Sequence, residues 1–361
     1  MSSRSKLIIF GAGKIGRTVA DLMDHTGDYE VTLVDLDDKA LEGVTVGKKV
    51  VDASNAKALE EAMAGHDFVL SALPFDLTKN IAVAAKNQKL HYFDLTEDVA
   101  TSDFVRDLAC DAETAFVPQS GLAPGFISIA AHEVSKKFDT IEALQMRVGA
   151  LAKYPTNAIR YNLTWSTAGL VNEYIHPCNA LIDGEMVKIP ALDGYETFIL
   201  DGVEYEAFNT SGGLGTLAET LKGKAKSLTY KSIRYPGHHE IMKTLLQGLK
   251  LRERPDLLIE ILENAIPATK QDAVLVFVNA TGYQKGRLMK ETYVTKVYAR
   301  DVNGKHLTAI QVTTASSVCA MIDMVREGVL PQKGFVKQED VSLDTFKENR
   351  FGIYYKEGEW S

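Results

Sequence analysis

The chain has 361 residues, 45% apolar and 24% charged, a balance that suits two well-cored soluble domains rather than one. Its formal net charge of −8 gives no general attraction to nucleic-acid phosphates or anionic membrane surfaces, so neither is an expected partner. Three scattered cysteines (Cys110, Cys178 and Cys319) form no CxxC pair, which argues against a disulfide framework or a cysteine-rich zinc site and suits a reducing, cytoplasmic setting.

The apolar run before Gly11 is too short for a signal peptide, and no segment approaches a membrane span. Over the first 125 residues, short apolar strands alternate with amphipathic stretches. The strands are "KLIIF" (6–10), "EVTLVDL" (30–36), "KKVV" (48–51), "DFVLSAL" (67–73), "LHYFDL" (90–95) and "AFVP" (115–118). Between them, "IGRTVADLMDHTG" and "NAKALEEAMAG" carry apolar residues at helical spacing. This alternation predicts an α/β fold with a Rossmann-type parallel sheet in residues 1–125, and ligands beyond the carboxyl ends of its strands.

The first strand ends in Gly11-Ala-Gly13-Lys14-Ile15-Gly16, where a helix begins. Gly11 is expected to make the tight turn, Gly13 to admit a pyrophosphate, and Gly16 to bring helix and strand together. The helix start at Lys14 and Ile15 offers free N–H donors to phosphates. Asp35 ends the second strand, nineteen residues beyond Gly16. A carboxylate there accepts from both ribose hydroxyls and repels a 2′-phosphate, so the expected cofactor is NAD rather than NADP. Ser71, Ala72, Leu73 and Pro74 follow the fourth strand as a small-residue loop with room for ribose and nicotinamide. After the fifth strand, Asp94 reads either as a ligand contact or as a helix-capping residue, with Leu95 beside it; Asp98 reads as a cap.

"SGLAPGFISIAAHEVSKKF" (120–138) reads as a hinge running into a helix, so a second, α+β domain for substrate and dimerisation is expected over 126–310. Its strands "ALQMRVGAL" (143–151), "DAVLVFVNATG" (272–282) and "ETYVTKVYARD" (291–301) suggest a largely antiparallel sheet, the last two pairing across "GYQKGR". The apolar helix "SSVCAMIDMVREG" (316–328) is expected to return toward the first domain within a segment 311–361, whose tail carries no readable motif. A strand-rich apolar second domain makes a homodimer or larger homo-oligomer an expectation.

Taken in order, "IIFGAGKIGR", "SALPF", "HYFDLTED", "GLAPGF", "WSTAGLVNEY", "SGGLGTL" and "SIRYPGHHEIM" resemble the saccharopine dehydrogenase-like family, from residue 6 to roughly 330. Within it the pattern is most similar to the branch that oxidatively deaminates the ε-amine of L-lysine with NAD. The resemblance implies a small amino-acid substrate and oxidation at a carbon–nitrogen bond. It leaves open an enzyme that forms a secondary amine, such as saccharopine or carboxynorspermidine. A non-catalytic dinucleotide sensor is the reading from another class.

Amine oxidation needs anchors for the substrate and an acid–base group. Arg234 can hold a carboxylate through its planar fork, or serve as a surface ion-pair residue. Of the adjacent His238 and His239, the resemblance favours His238 as a proton acceptor titrating near neutral pH; the pair, with Pro236, Gly237 and Glu240, also reads as a helix start. Adjacent histidines lack the spacing of helical zinc ligands, so no metal is expected. In "LVNEY", Asn172, Glu173 and Tyr174 are cleft candidates, with Glu173 for an ammonium and Tyr174 for sharing the proton; the solvent-facing helix is the alternative. Thr210 and Ser211 precede the glycine-rich "GGLGTL", read as a flexible loop over the substrate, and Cys178 as a small buried side chain.

Overall fold

A computed structural model describes residues 4–356. The described residues divide into two compact units, residues 4–126 with 311–356, and residues 127–310. In chain order the first unit opens with β1 (Ser5–Phe10), α1 (Lys14–His25), β2 (Tyr29–Asp35), β3 (Gly47–Val50) and α2 (Ala56–Met63). It continues with β4 (Phe68–Ser71), α3 (Phe75–Gln88), β5 (His91–Asp94), α4 (Val99–Ala109) and β6 (Ala115–Val117). Helix α5 (Phe126–Ser135) and strand β7 (Thr140–Ala152) lead into the second unit, followed by α6 (Thr167–Ile175), β8 (Cys178–Ile182), β9 (Glu185–Ile189) and β10 (Glu196–Leu200). Next come β11 (Val203–Asn209), α7 (Leu217–Thr220), β12 (Leu228–Arg234), α8 (His238–Lys243), α9 (Pro255–Ala265), and the hairpin of β13 (Asp272–Gln284) and β14 (Arg287–Tyr298). After β15 (Arg300–Val302) and β16 (Lys305–Leu307), the chain ends with α10 (Ala309–Arg326), β17 (Gly334–Phe335) and α11 (Leu343–Glu348).

In the first unit the strands lie in the order β17-β6-β5-β4-β1-β2-β3, each pair parallel. Leu7, Ile8, Ile9 and Phe10 are all at most 1% exposed, as a strand covered on both faces requires. The order reverses between β1 and β4, so their carboxyl ends frame a crevice beside the glycine-rich turn. The carboxyl-terminal segment joins this unit. Buried Asp323 of α10 accepts from Tyr29 Oη (2.8 Å), Asn349 Nδ2 (2.9 Å) and Arg350 (2.6 and 3.1 Å), which compensates the burial of its charge.

The second unit is built on a sheet of order β10-β11-β12-β7-β13-β14, with β8 and β9 branching from β12. It is mixed, because β12 runs parallel to β7 while the other pairs are antiparallel. The long crossover carrying α6 and β8–β11 lets the chain re-enter beside β7 in the same direction. Helices α6, α8 and α9 enclose a core of Tyr161, Leu170, Tyr174, Phe208, Met242, Leu258 and Leu262. Among the described residues, no helix is long and apolar enough to cross a membrane.

Candidate active site and cofactor cradle

Gly11 has φ +106°, and a Cβ on it would meet Ala72 O at 2.6 Å. A Cβ on Gly16 would fall 1.9 Å from Gly11 O, so only glycine lets α1 approach the turn this closely. Around Gly13 nothing lies within 4 Å of such a Cβ. That open space, exposed at Gly13 and Lys14 and half-buried at Ile15, adjoins a helix N-terminus that no side chain caps. The free first-turn N–H groups and the helix dipole therefore face room for a pyrophosphate. Asp35 is half-buried, one carboxylate oxygen accepting from Ala12 N (2.7 Å) and the other from Asp37 N (3.1 Å). Arg17, to which the sequence analysis gave no role, donates to the carbonyls of Ala12, Ala40 and Glu42 and ties the turn after β2 to the glycine-rich turn. These residues fit a nicotinamide dinucleotide.

The neighbouring strand ends are less available. Asp94 is fully buried, accepting from Tyr92 Oη (2.7 Å), Gln119 N (2.8 Å) and Thr96 N (3.1 Å). Burial pushes its carboxyl up to about 6 against these three donors. The expectation that Asp94 contacts substrate or cofactor is therefore corrected: its side chain organises the loops after β5 and β6. Ser71 is buried with its hydroxyl on Thr78 Oγ1 (3.1 Å), so its side chain is also turned inward. Ala72, Leu73 and Leu95 are half-buried and Pro74 is exposed at the start of α3. Asp98 caps α4 through Thr101 N (2.7 Å).

In the second unit Arg234, Tyr174 and His238 come together. The backbone carbonyl of Ile159 can only accept, so His238 Nδ1 carries the proton and donates to it (2.9 Å). Nε2 is then the acceptor for Tyr174 Oη at 3.1 Å, and the phenol oxygen in turn accepts from Arg234 Nε at 2.9 Å. Arg234 Nη1 donates to Ile233 O (2.7 Å). The guanidinium lies 5.1 Å from the centre of the Tyr161 ring and 5.8 Å from that of Tyr174. Burial opposes its charge, but Tyr174, Tyr161 and Glu173 outweigh that and keep it ionised. Glu173 is only 5% and Arg234 3% exposed, which removes the solvent-facing reading of Glu173 in "LVNEY" and the surface ion-pair reading of Arg234.

His238 departs from its expected role. Burial, reinforced by the Arg234 charge, pushes its imidazole down to about 3, so it is neutral and weakly basic near pH 7. Both ring nitrogens are occupied, and its place is to orient Tyr174, which orients Arg234. Burial likewise holds the Tyr174 phenol protonated. The neighbouring His239 points its Nε2 to Leu192 O (2.6 Å). The start of α8 is capped from across the sheet, by Glu206 on Gly237 N (2.8 Å) and His239 N (2.5 Å), not by a local side chain.

The "SGGLGTL" segment is not a free lid. Thr210 is buried with its hydroxyl on Ser232 Oγ (2.8 Å), and buried Ser211 donates its N–H to Glu173 O (3.0 Å). A Cβ on Gly213 would strike the Tyr230 ring at 2.2 Å, so the loop lies directly on that ring. These residues are fixed structure beside Glu173, in place of the mobile substrate contacts expected of them. Asn172 is half-buried on α6. Cys178 is buried, and its thiol is pushed up to about 12 by burial, with Glu173 adding to the effect. Ile159, Tyr161, Glu206 and Tyr230 went unnoticed in the sequence, where they read as ordinary loop and strand positions.

Two family models match the chain. The saccharopine dehydrogenase NADP binding domain covers residues 7–120, and the saccharopine dehydrogenase C-terminal domain covers residues 121–349. The chain belongs to the saccharopine dehydrogenase family. Among curated relatives it is 24% identical over 206 residues to the mitochondrial alpha-aminoadipic semialdehyde synthase of Rattus norvegicus, covering 52% of this chain and 22% of that protein. It is 24% identical over 313 residues to saccharopine dehydrogenase [NADP(+), L-glutamate-forming] of Pyricularia oryzae, covering 78% of this chain and 68% of the relative. The chain thus spans about a fifth to a third of the semialdehyde synthases it matches. Apo saccharopine dehydrogenase (L-Glu forming) from Saccharomyces cerevisiae shares the fold, with TM-score 0.77 over 94% of this chain and 95% of that one at 15% identity.

Proposed function

We propose that the protein is an NAD-dependent dehydrogenase acting on the carbon–nitrogen bond of an amino acid. Its substrate on this reading is L-lysine: the ε-carbon gives up a hydride, water hydrolyses the resulting imine with release of ammonia, and the 6-semialdehyde formed closes on its α-amine with loss of water to piperideine-6-carboxylate. The observation that carries the reading is Arg234 with Glu173: a buried guanidinium oriented by Tyr174 and Ile233, in the field of a buried carboxylate. Such a pair suits the α-carboxylate and α-ammonium of an amino acid, since a planar guanidinium matches a carboxylate and a carboxylate matches an ammonium. The bound nicotinamide would supply the hydride acceptor. Arg234 and Glu173 would bind and orient the amino-acid head, while the His238–Tyr174 pair holds the guanidinium in place. Neither His238 nor Tyr174 is tuned to take a proton near pH 7, so the base is not assigned to them.

Asp35 supports NAD, since a carboxylate at this position repels a 2′-phosphate. The names of the matching domain model and of the Pyricularia oryzae relative instead carry NADP. A second reading, oxidation of the secondary amine saccharopine, is favoured by those relatives' names. The two separate in one assay. With NAD or NADP, reduced cofactor is followed for L-lysine, saccharopine and other amino acids. Turnover of L-lysine with NAD is the expected result; turnover of saccharopine with no activity on L-lysine would replace the first reading by the second.

A further inference from the structure

A cavity of about 360 Å³ in the second unit lies outside the Arg234 network, sharing only Tyr174 with it. One wall is apolar, made by Ile175, Pro177, Ile189, Pro190 and Leu246. The charged groups on its lining are Lys188 and Arg252; no lining residue is acidic. Neither cation has an acidic partner among the described residues, and Arg252 makes only a long bond of 3.4 Å to Ile175 O. Two exposed cations without acidic partners on the lining of a largely apolar cavity attract an anion with a hydrocarbon body.

The walls are also preformed. Leu192, in the left-handed region at φ +67°, is buried and fixed by its N–H on Asn209 O (2.9 Å) and its carbonyl on His239 Nε2 (2.6 Å). Opposite it, Leu246 and Gln247 belong to a π-helical turn, Thr244–Gly248, closed by Leu249 N on Thr244 O at 2.9 Å. Such turns shift side chains out of the regular helical row and are frequent at binding sites. A ligand entering here does not have to order the loop around it, which removes one cost of binding.

We propose that this cavity binds a small aliphatic dicarboxylate, one carboxylate on Lys188 and the other on Arg252, with its methylene chain against Ile189, Pro190 and Leu246. The test is isothermal titration of the full chain with adipate, hexanoate and inorganic phosphate. Adipate should bind saturably, and both hexanoate and phosphate should bind at least about tenfold more weakly, each lacking one half of the recognition. The Lys188→Ala/Arg252→Ala variant alters two exposed side chains and should fold normally, yet lose adipate affinity by about tenfold or more. Equal binding of phosphate or hexanoate, no adipate binding, or adipate binding unchanged in a variant of normal Tm would each overturn the proposal.

Discussion

At the end of β2, Asp35 holds the amides of Ala12 and Asp37 on its two carboxylate oxygens, so its position is set before any ligand arrives. A preorganised carboxylate accepts ribose hydroxyls without reorganisation and meets a 2′-phosphate with like charge. Replacing it by serine leaves a polar side chain while removing the negative charge. Asp35→Ser should therefore raise the KM for NAD by about tenfold and shift the NAD-to-NADP ratio of kcat/KM toward NADP by about tenfold or more. Steady-state kinetics with both cofactors check this, and an unchanged ratio would remove Asp35 from the discrimination. Arg234 illustrates the same logic in the other unit. A guanidinium fixed by Tyr174 and Ile233 carries its remaining donors in a defined direction, which a freely rotating lysine at the same place would not.

The strand–turn–helix element of β1 and α1 separates two kinds of glycine. At Gly16 an added methyl overlaps the Gly11 carbonyl, whereas at Gly13 it enters open space. Gly16→Ala should thus destabilise the first unit by about 1–3 kcal/mol or more, as overpacking against backbone does. Gly13→Ala should leave urea unfolding nearly unchanged but weaken dinucleotide binding by about tenfold or more, because the methyl occupies the space left for the pyrophosphate. Urea titration and NAD titration of the two variants measure these separately. This element was legible in the sequence because every part of it is local: an apolar strand buried on both faces, three spaced glycines and an amphipathic helix. The parallel pairing of β7 with β12 was not, since periodicity shows where strands are and not which neighbour they choose. Asp94 and His238 were misread for a related reason. The donor Gln119 that helps enclose Asp94 lies 25 residues away, and the carbonyl of Ile159 that fixes His238 lies 79 residues away. Residue type suggested titration near pH 7 for the histidine; distant neighbours decide its protonation.

Across the whole molecule, the two units bury titratable groups whose effects on acid stability have opposite signs. In the first unit, Asp94 goes from an ordinary 3.8 to about 6, so between those values the folded form holds a proton that the unfolded chain has released. Its contribution to stability is greatest below 3.8 and declines as pH rises through about 6. In the second unit, His238 goes from 6.5 to about 3. The unfolded chain takes up a proton below 6.5 that the folded form refuses, so the stability this group contributes is present above 6.5 and is lost as pH falls toward 3. Each separated proton is worth about 1.4 kcal/mol per pH unit. Acidification from pH 6.5 to pH 4.5 should consequently weaken the second unit through His238, while Asp94 partly offsets acid destabilisation of the first. Trp165 lies against the core that surrounds His238, so its fluorescence during urea unfolding, in a Trp360→Phe background, follows that unit. His238→Gln should lower stability at every pH, because one of the two hydrogen bonds is lost or bent, yet flatten the acid slope by about 1 kcal/mol per pH unit. An acid slope identical to that of the parent would mean that His238 titrates alike in the folded and unfolded chain. It would then have to be reached by protons within the fold, and a general-base role for it would again be open.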